Sequence, residues 1–326
     1  MSETPLIWRA ASELAREGQK AALATVAETR GSTPVPAGEK MLVGPEGRLV
    51  GTVGGGCVEA EVIAAALASQ QDGVPRLLTQ HLNADLAGDL GLSCGGTVEI
   101  FIEPVLASPN YLAVLDQAAE AAAGIVRTAT VWDGGVVKTF EKADDGAVGR
   151  MGGRAASLSA DRRVVTELLT APPRVIVFGA GHVGAAIARA AAAAGFRVVV
   201  VDDRPEFAAA SRFGDGVTVI CAGVDEALAL HALTPADAVV IATRGHRHDA
   251  VILSQVAASP AAYVGLLGSK RKKAVITKAL LTAGLPQTAL DRVKVPVGLD
   301  IGAVTAEEIA VSVVAELVAW RRRPTV

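Results

Sequence analysis

The stretch Arg174–Pro205, RVIVFGAGHVGAAIARAAAAAGFRVVVVDDRP, constrains the fold more than any other part of the chain. Val175-Ile176-Val177-Phe178 is a short apolar run of the kind carried by a strand buried on both faces. Gly179-x-Gly181-x-x-Gly184 follows, then an alanine-rich segment of high helix propensity that Gly195 ends by accepting a left-handed conformation. A second apolar run, Val198 to Val201, leads into Asp202-Asp203-Arg204. Strand, glycine turn, helix, strand and acid in this order form the βαβ dinucleotide fingerprint. Gly179 permits the tight turn, Gly181 lets a phosphate approach the backbone, and Gly184 lets helix and strand pack closely. The unpaired amides where the helix begins, at His182, then face an anion. Asp202 is placed to accept two ribose hydroxyls, and Arg204 can accommodate a phosphate.

Beyond Pro205 the alternation of apolar runs and helical patterns continues. Strands are expected at Val217–Ile220, Asp237–Ala242, Ala262–Leu266 and Val293–Val295, giving a Rossmann-like, doubly wound parallel sheet. Thr305-Ala306-Glu307-Glu308 is a capping box that opens the last helix, and Arg321 to Arg323 complement that helix's negative end. Two loops are expected at the carboxyl ends of strands, where such sheets bind ligands. One is Thr243-Arg244-Gly245-His246-Arg247-His248-Asp249, whose histidines and acid are a candidate for metal ligation or proton transfer. The other is Gly268-Ser269-Lys270-Arg271-Lys272-Lys273. Ser269 caps a helix there, while four cations oppose that helix's dipole, a conflict that an anion would relieve.

Upstream of Pro172-Pro173, taken as the boundary between two domains (1–171 and 172–326), the pattern is mixed α+β. A helix is expected over residues 6–18 and a strand over Ala21–Val26, followed by the loop Gly31-Ser32-Thr33-Pro34-Val35-Pro36. Two hairpin strands, Lys40–Val43 and Arg48–Val53, lead into Gly54-Gly55-Gly56-Cys57 and a helix over Val58–Ser69. Three glycines before a cysteine at a helix start let the backbone fold onto a ligand, and the dipole there favours thiolate. Further strands are expected at Arg76–His81 and Thr97–Glu103, with Ser93-Cys94-Gly95-Gly96 between them. If Cys57 and Cys94 converge, two soft sulfurs suit a soft metal or sulfur chemistry. Cys221, after an apolar run, reads as a core residue. A helix over Pro109–Ala123 and β-pattern from Ile125 to Phe140 follow, and the polar stretch 141–170 carries no assignable pattern.

Hydrophobic residues make up 51% of the 326, aromatics only 3%, which suits cores of Ala, Val, Leu and Ile packed helix on sheet. The formal net charge of −3 argues against nucleic-acid or membrane-surface partners. Three widely spaced cysteines make no disulfide framework. The N-terminal sequence has no signal-peptide pattern and no segment is long enough to span a bilayer, so a cytoplasmic location is expected.

The segments GSTPVPAGEKMLV, GTVGGGCVEAEV, SCGGTVEIFIEP, VFGAGHVG, VVDDRPEFA, YVGLLGSKRK and VPVGLDIGAVTAEEIAVSVVAELVAWR occur in this order across nearly the whole chain. Together they resemble the XdhC/CoxI family, accessory proteins of molybdenum hydroxylases such as xanthine dehydrogenase. The resemblance implies a chaperone rather than an enzyme. It would bind molybdenum cofactor (molybdopterin), protect it while a terminal sulfido ligand is installed, and deliver it to the apo-enzyme. The implied partners are the molybdenum hydroxylase apo-enzyme and a cysteine desulfurase-type sulfur donor, with self-association as a dimer or other homo-oligomer. On this reading Gly179, Gly181 and Gly184 hold the phosphate, while Cys57, joined by Cys94 if the two converge, faces molybdenum. Arg244, His246 and His248 are candidates for the crevice wall. The alternative is an NAD(P)-dependent oxidoreductase that uses Asp202 for the ribose and a histidine of the Arg244 loop as general acid.

Overall fold

The computed structural model describes residues 4–82, 95–120, 123–130, 135–142, 155–170 and 173–322. Contacts divide the chain into two compact units, Ser2–Ala171 and Pro172–Arg323. In the N-terminal unit, α1 (Thr4–Arg16) precedes β1 (Ala22–Arg30), β2 (Lys40–Gly44) and β3 (Gly47–Gly51). Then come α2 (Gly56–Asp72), β4 (Arg76–His81), β5 (Thr97–Pro104) and α3 (Pro109–Glu120). A second set, β6 (Ala123–Thr130), β7 (Val136–Glu141), β8 (Ala156–Leu158) and β9 (Val164–Thr170), completes the unit.

These strands form two antiparallel sheets, in the orders β3-β2-β1-β5-β4 and β7-β6-β9-β8. The first sheet is covered on both faces, so β1 reads as a run of six buried residues rather than an alternation. On one face Ala22, Ala24, Val26, Ile100 and Ile102 pack with Val62 and Ala66 of α2. On the other, Leu23, Leu42 and Phe101 meet Ile7 and Trp8 of α1, Leu115 of α3, and Val136 and Val165 of the second sheet. Each fully buried Val, Leu, Ile or Phe side chain among them contributes about 1.5–3 kcal/mol. The stretch 141–170, polar in sequence, nonetheless supplies β8 and β9, because β9 finds its partners across the sheet in β6 and β8. Ala123 starts β6 rather than ending α3.

The C-terminal unit runs β10 (Arg174–Phe178), α4 (His182–Ala193), β11 (Arg197–Asp202), β12 (Val217–Cys221), α5 (Val224–Leu230) and β13 (Asp237–Ile241). It continues through α6 (His246–Val256), β14 (Tyr263–Leu266), α7 (Lys270–Thr282), α8 (Gln287–Asp291) and α9 (Ala306–Arg321). All five strands are parallel, in the order β12-β11-β10-β13-β14, so the order reverses between β10 and β13. Alternate residues face opposite layers. Val175, Val177, Val198 and Val200 pack on α4 and α9. Ile176, Phe178, Val199 and Val201 pack with Ile252 and Leu253 of α6 and Ile276 and Leu280 of α7. This is the doubly wound α/β sheet expected from the sequence.

Two expectations need correction. Val293–Val295 is not a strand: Lys294 alone bridges to Gly265, because Pro296 offers no N–H to extend a ladder. Cys221 is exposed, because it ends the edge strand β12, which has no neighbour on its outer side in this sheet. Arg321 lies in the last turn of α9 as read, but its hydrogen bond goes to another helix. Its guanidinium lies over the Phe196 ring and donates to the Ala194 carbonyl at the end of α4. The capping box is formed as read: Thr305 Oγ1 accepts from the Glu308 amide, and Glu308 accepts in return from the Thr305 amide.

Candidate functional site

In the N-terminal unit the glycine run forms the entrance to α2. Gly54, Gly55 and Gly56 have φ values of +143°, +73° and +58°, a succession that side-chain-bearing residues rarely adopt. Gly55 caps the helix without any side-chain acceptor, and Cβ atoms built on Gly55 or Gly56 would meet open space. The first-turn amides of α2 therefore lack a side-chain cap, with Cys57 the second residue of the helix. The nearby acid, Glu59, is occupied by the Thr52 hydroxyl at 2.5 Å and Arg48 at 3.4 Å.

The loop that follows β1 touches both cysteine-bearing segments. A Cβ on Gly54 would lie 3.6 Å from Pro34 Cγ, and one on Gly96 would lie 2.3 Å from the Ser32 carbonyl oxygen. Gly96 thus lies flush on that loop, two residues after Cys94, and only a glycine fits there. Cys94 itself lies outside the described residues. The loop thus borders both Gly54 and Gly96, and whether Cys57 and Cys94 converge falls outside the described residues.

In the C-terminal unit each fingerprint glycine has a distinct physical reason. Gly179, at φ +107°, lies so close to the β13 exit that a Cβ would sit 2.4 Å from the Ala242 oxygen. A Cβ on Gly184 would sit 1.8 Å from the Gly179 oxygen, so this glycine sets how closely α4 approaches the turn. Gly181 caps α4 with open space where its Cβ would be, and His182 begins the helix exposed. That opening is the feature an anion at the helix start requires.

A crevice of about 590 Å³, counting its open mouth, lies at the carboxyl ends of β10 to β13. It brings together Gly179, Asp202, Arg204, Arg244 and His248 of the predicted residues, and adds Asp203. Asp202 is 6% exposed and already engaged. One carboxylate oxygen accepts from the Ala180 amide at 2.7 Å and Arg204 Nη2 at 2.9 Å. The other accepts from Arg204 Nε at 2.9 Å and the Arg204 amide at 3.1 Å. Burial acts to raise the Asp202 pKa, but the Arg204 guanidinium and the two amides outweigh it and hold it below the ordinary carboxylate value. Its expected ribose-binding role meets an acid whose oxygens are already filled.

Arg244 donates to Asp203 at 3.1 Å and lies 3.3 Å from His248 Nε2. The segment read as a His-x-His-Asp loop is the first turn of α6, which Gly245 caps. Residues two apart on a helix face different sides, so His248 lines the crevice while His246, exposed, does not. Asp249 is fully buried, accepting from Thr243 Oγ1 at 2.7 Å and pairing with Lys272 at 2.5 Å. No group of three metal-ligating side chains is assembled among the described residues.

That same ion pair accounts for part of the basic turn. Lys272 neutralises Asp249 and donates to the Leu267 carbonyl, while Ser269 caps α7 by accepting from the Lys272 amide. Ser269 does not line the crevice, and Lys270 is the first residue of α7. The doublet Asp202-Asp203 was the sequence signal for the missed acid: the first residue points into the turn and the second stands on the rim. Among the described residues no helix is long and apolar enough to cross a membrane.

Comparison with known proteins agrees with this architecture. Residues 175–317 match the family described as the XdhC Rossmann domain, and residues 14–81 match the XdhC and CoxI family. A Bacillus subtilis protein named as a probable xanthine dehydrogenase subunit is 30% identical, covering 96% of this chain and 97% of its own. A molybdenum cofactor insertion chaperone, PaoD of Escherichia coli, is 34% identical over 111 residues, 34% of this chain and 35% of that protein. A crystal structure described as a xanthine dehydrogenase from Bacillus halodurans superposes with a TM-score of 0.76 at 26% identity, covering 97% of this chain and 96% of that one. With its full length matched in sequence and in fold, the chain belongs to the XdhC and CoxI family.

Proposed function

We propose that this protein binds molybdenum cofactor as cargo and inserts it into a molybdenum hydroxylase of the xanthine dehydrogenase type. The observation that carries this reading is the uncapped start of α2, where three left-handed glycines lead directly into Cys57. The likeness to a protein named for xanthine dehydrogenase, and in part to a cofactor insertion chaperone, supports the same reading.

The cargo is a pterin that ends in a phosphate and carries molybdenum on two sulfurs. Unpaired amides suit its anionic groups, and a thiol at a helix start suits a soft, sulfur-rich centre. Cys57 is the proposed contact for the molybdenum end, with Cys94 proposed as a second sulfur. Taken by itself, the C-terminal unit offers the open Gly181 amide region as a separate anion cradle. The protein holds the cofactor while a cysteine desulfurase-type donor supplies sulfur, then passes it to the apo-enzyme in the cytoplasm, acting as a homo-oligomer. The oxidoreductase alternative depends on Asp202 reading a ribose, and the four hydrogen bonds on that carboxylate weigh against it.

The test is to load the purified chain with isolated molybdenum cofactor and measure pterin and molybdenum retained through gel filtration. Retention by the unmodified protein, reduced about tenfold in Cys57→Ala with unchanged circular dichroism, is the expected result, the scale of one lost contact of about 1.4 kcal/mol. No retention by the unmodified protein overturns the cargo reading. Full retention and full target activation by Cys57→Ala overturn the role of the thiol.

A further inference from the structure

The crevice at the carboxyl ends of β10 to β13 has features that cargo binding leaves unused. Val224, Val251 and Ile252 give it an apolar wall. Its polar groups converge where β11 ends and α6 begins.

Arg204 is held as a fixed plane. Nε and Nη2 are spent on Asp202, and one face lies 3.7 Å from the Phe207 ring centroid. Arg204 lines the crevice together with Val224 and Val251, whereas Phe207 does not. A fixed guanidinium plane beside aliphatic side chains suits a flat heteroaromatic ring.

Arg244 is held loosely by comparison. Its pair with Asp203 spans the rim between the β11 and β13 ends, and both side chains are about half exposed, at 43% and 52%. Such a pair is worth less than about 1 kcal/mol, so a doubly charged anion competes for Arg244 while Asp203 turns to water. Asp202, with both oxygens filled, does not read an unmodified sugar diol.

We propose that the crevice binds a purine nucleoside phosphorylated on a secondary ribose hydroxyl. The base stacks on Arg204 against Val224 and Val251, and the phosphate meets Arg244 and His248. The nucleotide is a bound ligand that undergoes no reaction there.

Calorimetric titration of the full chain with 2′-AMP, 5′-AMP and adenosine tests the assignment. 2′-AMP is expected to bind saturably and about tenfold or more tighter than the other two, the scale of one charged hydrogen-bonded contact. Arg244→Ala should erase that preference without changing the melting temperature. Val251→Trp should fill the slot and abolish binding of all three, and the 53% exposure of Val251 lets α6 accept the larger ring. Equal or tighter binding of 5′-AMP or adenosine overturns the proposal, as does no saturable binding or a preference that survives Arg244→Ala. These titrations contain no pterin, so their failure leaves the cargo reading standing, and failure of pterin retention leaves the nucleotide site standing.

Discussion

Asp202, at the end of β11, and Asp237, at the start of β13, are buried carboxylates at opposite ends of the parallel sheet. Asp237, 2% exposed, takes Arg174 on both oxygens at 2.9 and 2.7 Å and also accepts from the amide and hydroxyl of Thr234. For both acids burial pulls the pKa up, and the guanidinium and N–H or O–H donors prevail, leaving it below the ordinary value. A carboxylate depressed in the folded state contributes stability that is present above its unfolded pKa, near 3.9, and is lost as pH falls through the folded value. Stability of this unit should therefore decline as pH drops below about 4. Asp237→Asn should cost roughly 3 kcal/mol at pH 7 by leaving Arg174 unpaired, and should flatten that acid limb. Thermal melts of both proteins between pH 7 and pH 3 measure it, and parallel curves would refute the assignment. The residue types at both positions were plain in the sequence. That Asp202 is already filled was not, because its partners are an amide 22 residues earlier and an arginine whose rotamer is set by Phe207.

At the scale of elements, the glycine turn and α4 are joined by contact rather than by side-chain chemistry. Gly184→Ala places a methyl group 1.8 Å from the Gly179 oxygen, so the helix must move off the turn, at a cost of about 1–3 kcal/mol or more. Gly181→Ala meets nothing, and its effect on stability should stay within about 0.5 kcal/mol. Denaturant titration of the two variants gives the contrast directly, and equal losses would contradict the packing described. The spacing of these glycines was legible because the strand, turn and helix are local. The approach of Gly96 to the loop after β1 was not, since Gly96 reaches Ser32 only through the pairing of β1 with β5. The His-x-His-Asp segment assembles no group of three metal ligands among the described residues, because Asp249 is buried against Lys272 while both histidines are exposed.

In the whole molecule the two units carry separate cores, drawn from residues 7–169 and 175–317. The N-terminal unit adds buried charges that join its two sheets. Lys40 of β2 pairs with Glu167 of β9 and lies over the Trp8 ring, while Lys138 of β7 pairs with Glu103 of β5 at 2.7 Å. Burial pulls the Lys40 pKa down and Glu167 opposes it. Lys40→Met leaves Glu167 buried without its cation, which should cost about 3–5 kcal/mol, and adding Glu167→Met should recover much of that loss. Differential scanning calorimetry should show the loss in one of two unfolding transitions and not in the other. A uniform shift of both transitions would mean that the units unfold as one.

By itself the sequence determined what local order encodes: the βαβ fingerprint, the alternation of strands and helices, the capped last helix and the ordered segments that mark the family. These follow from propensity, periodicity and short-range turn chemistry, which act between residues near in the chain. Only the tertiary structure decided which charges are buried. Asp202, Asp249 and Lys272 look like binding groups in the sequence and are spent inside the fold, whereas Asp203, Arg244 and His248 stand at the crevice. The physical reason is that burial makes an unpaired charge costly, so the fold pairs buried charges with partners brought close by the sheet order. The cations and acids left at the rim are those that water had been able to satisfy.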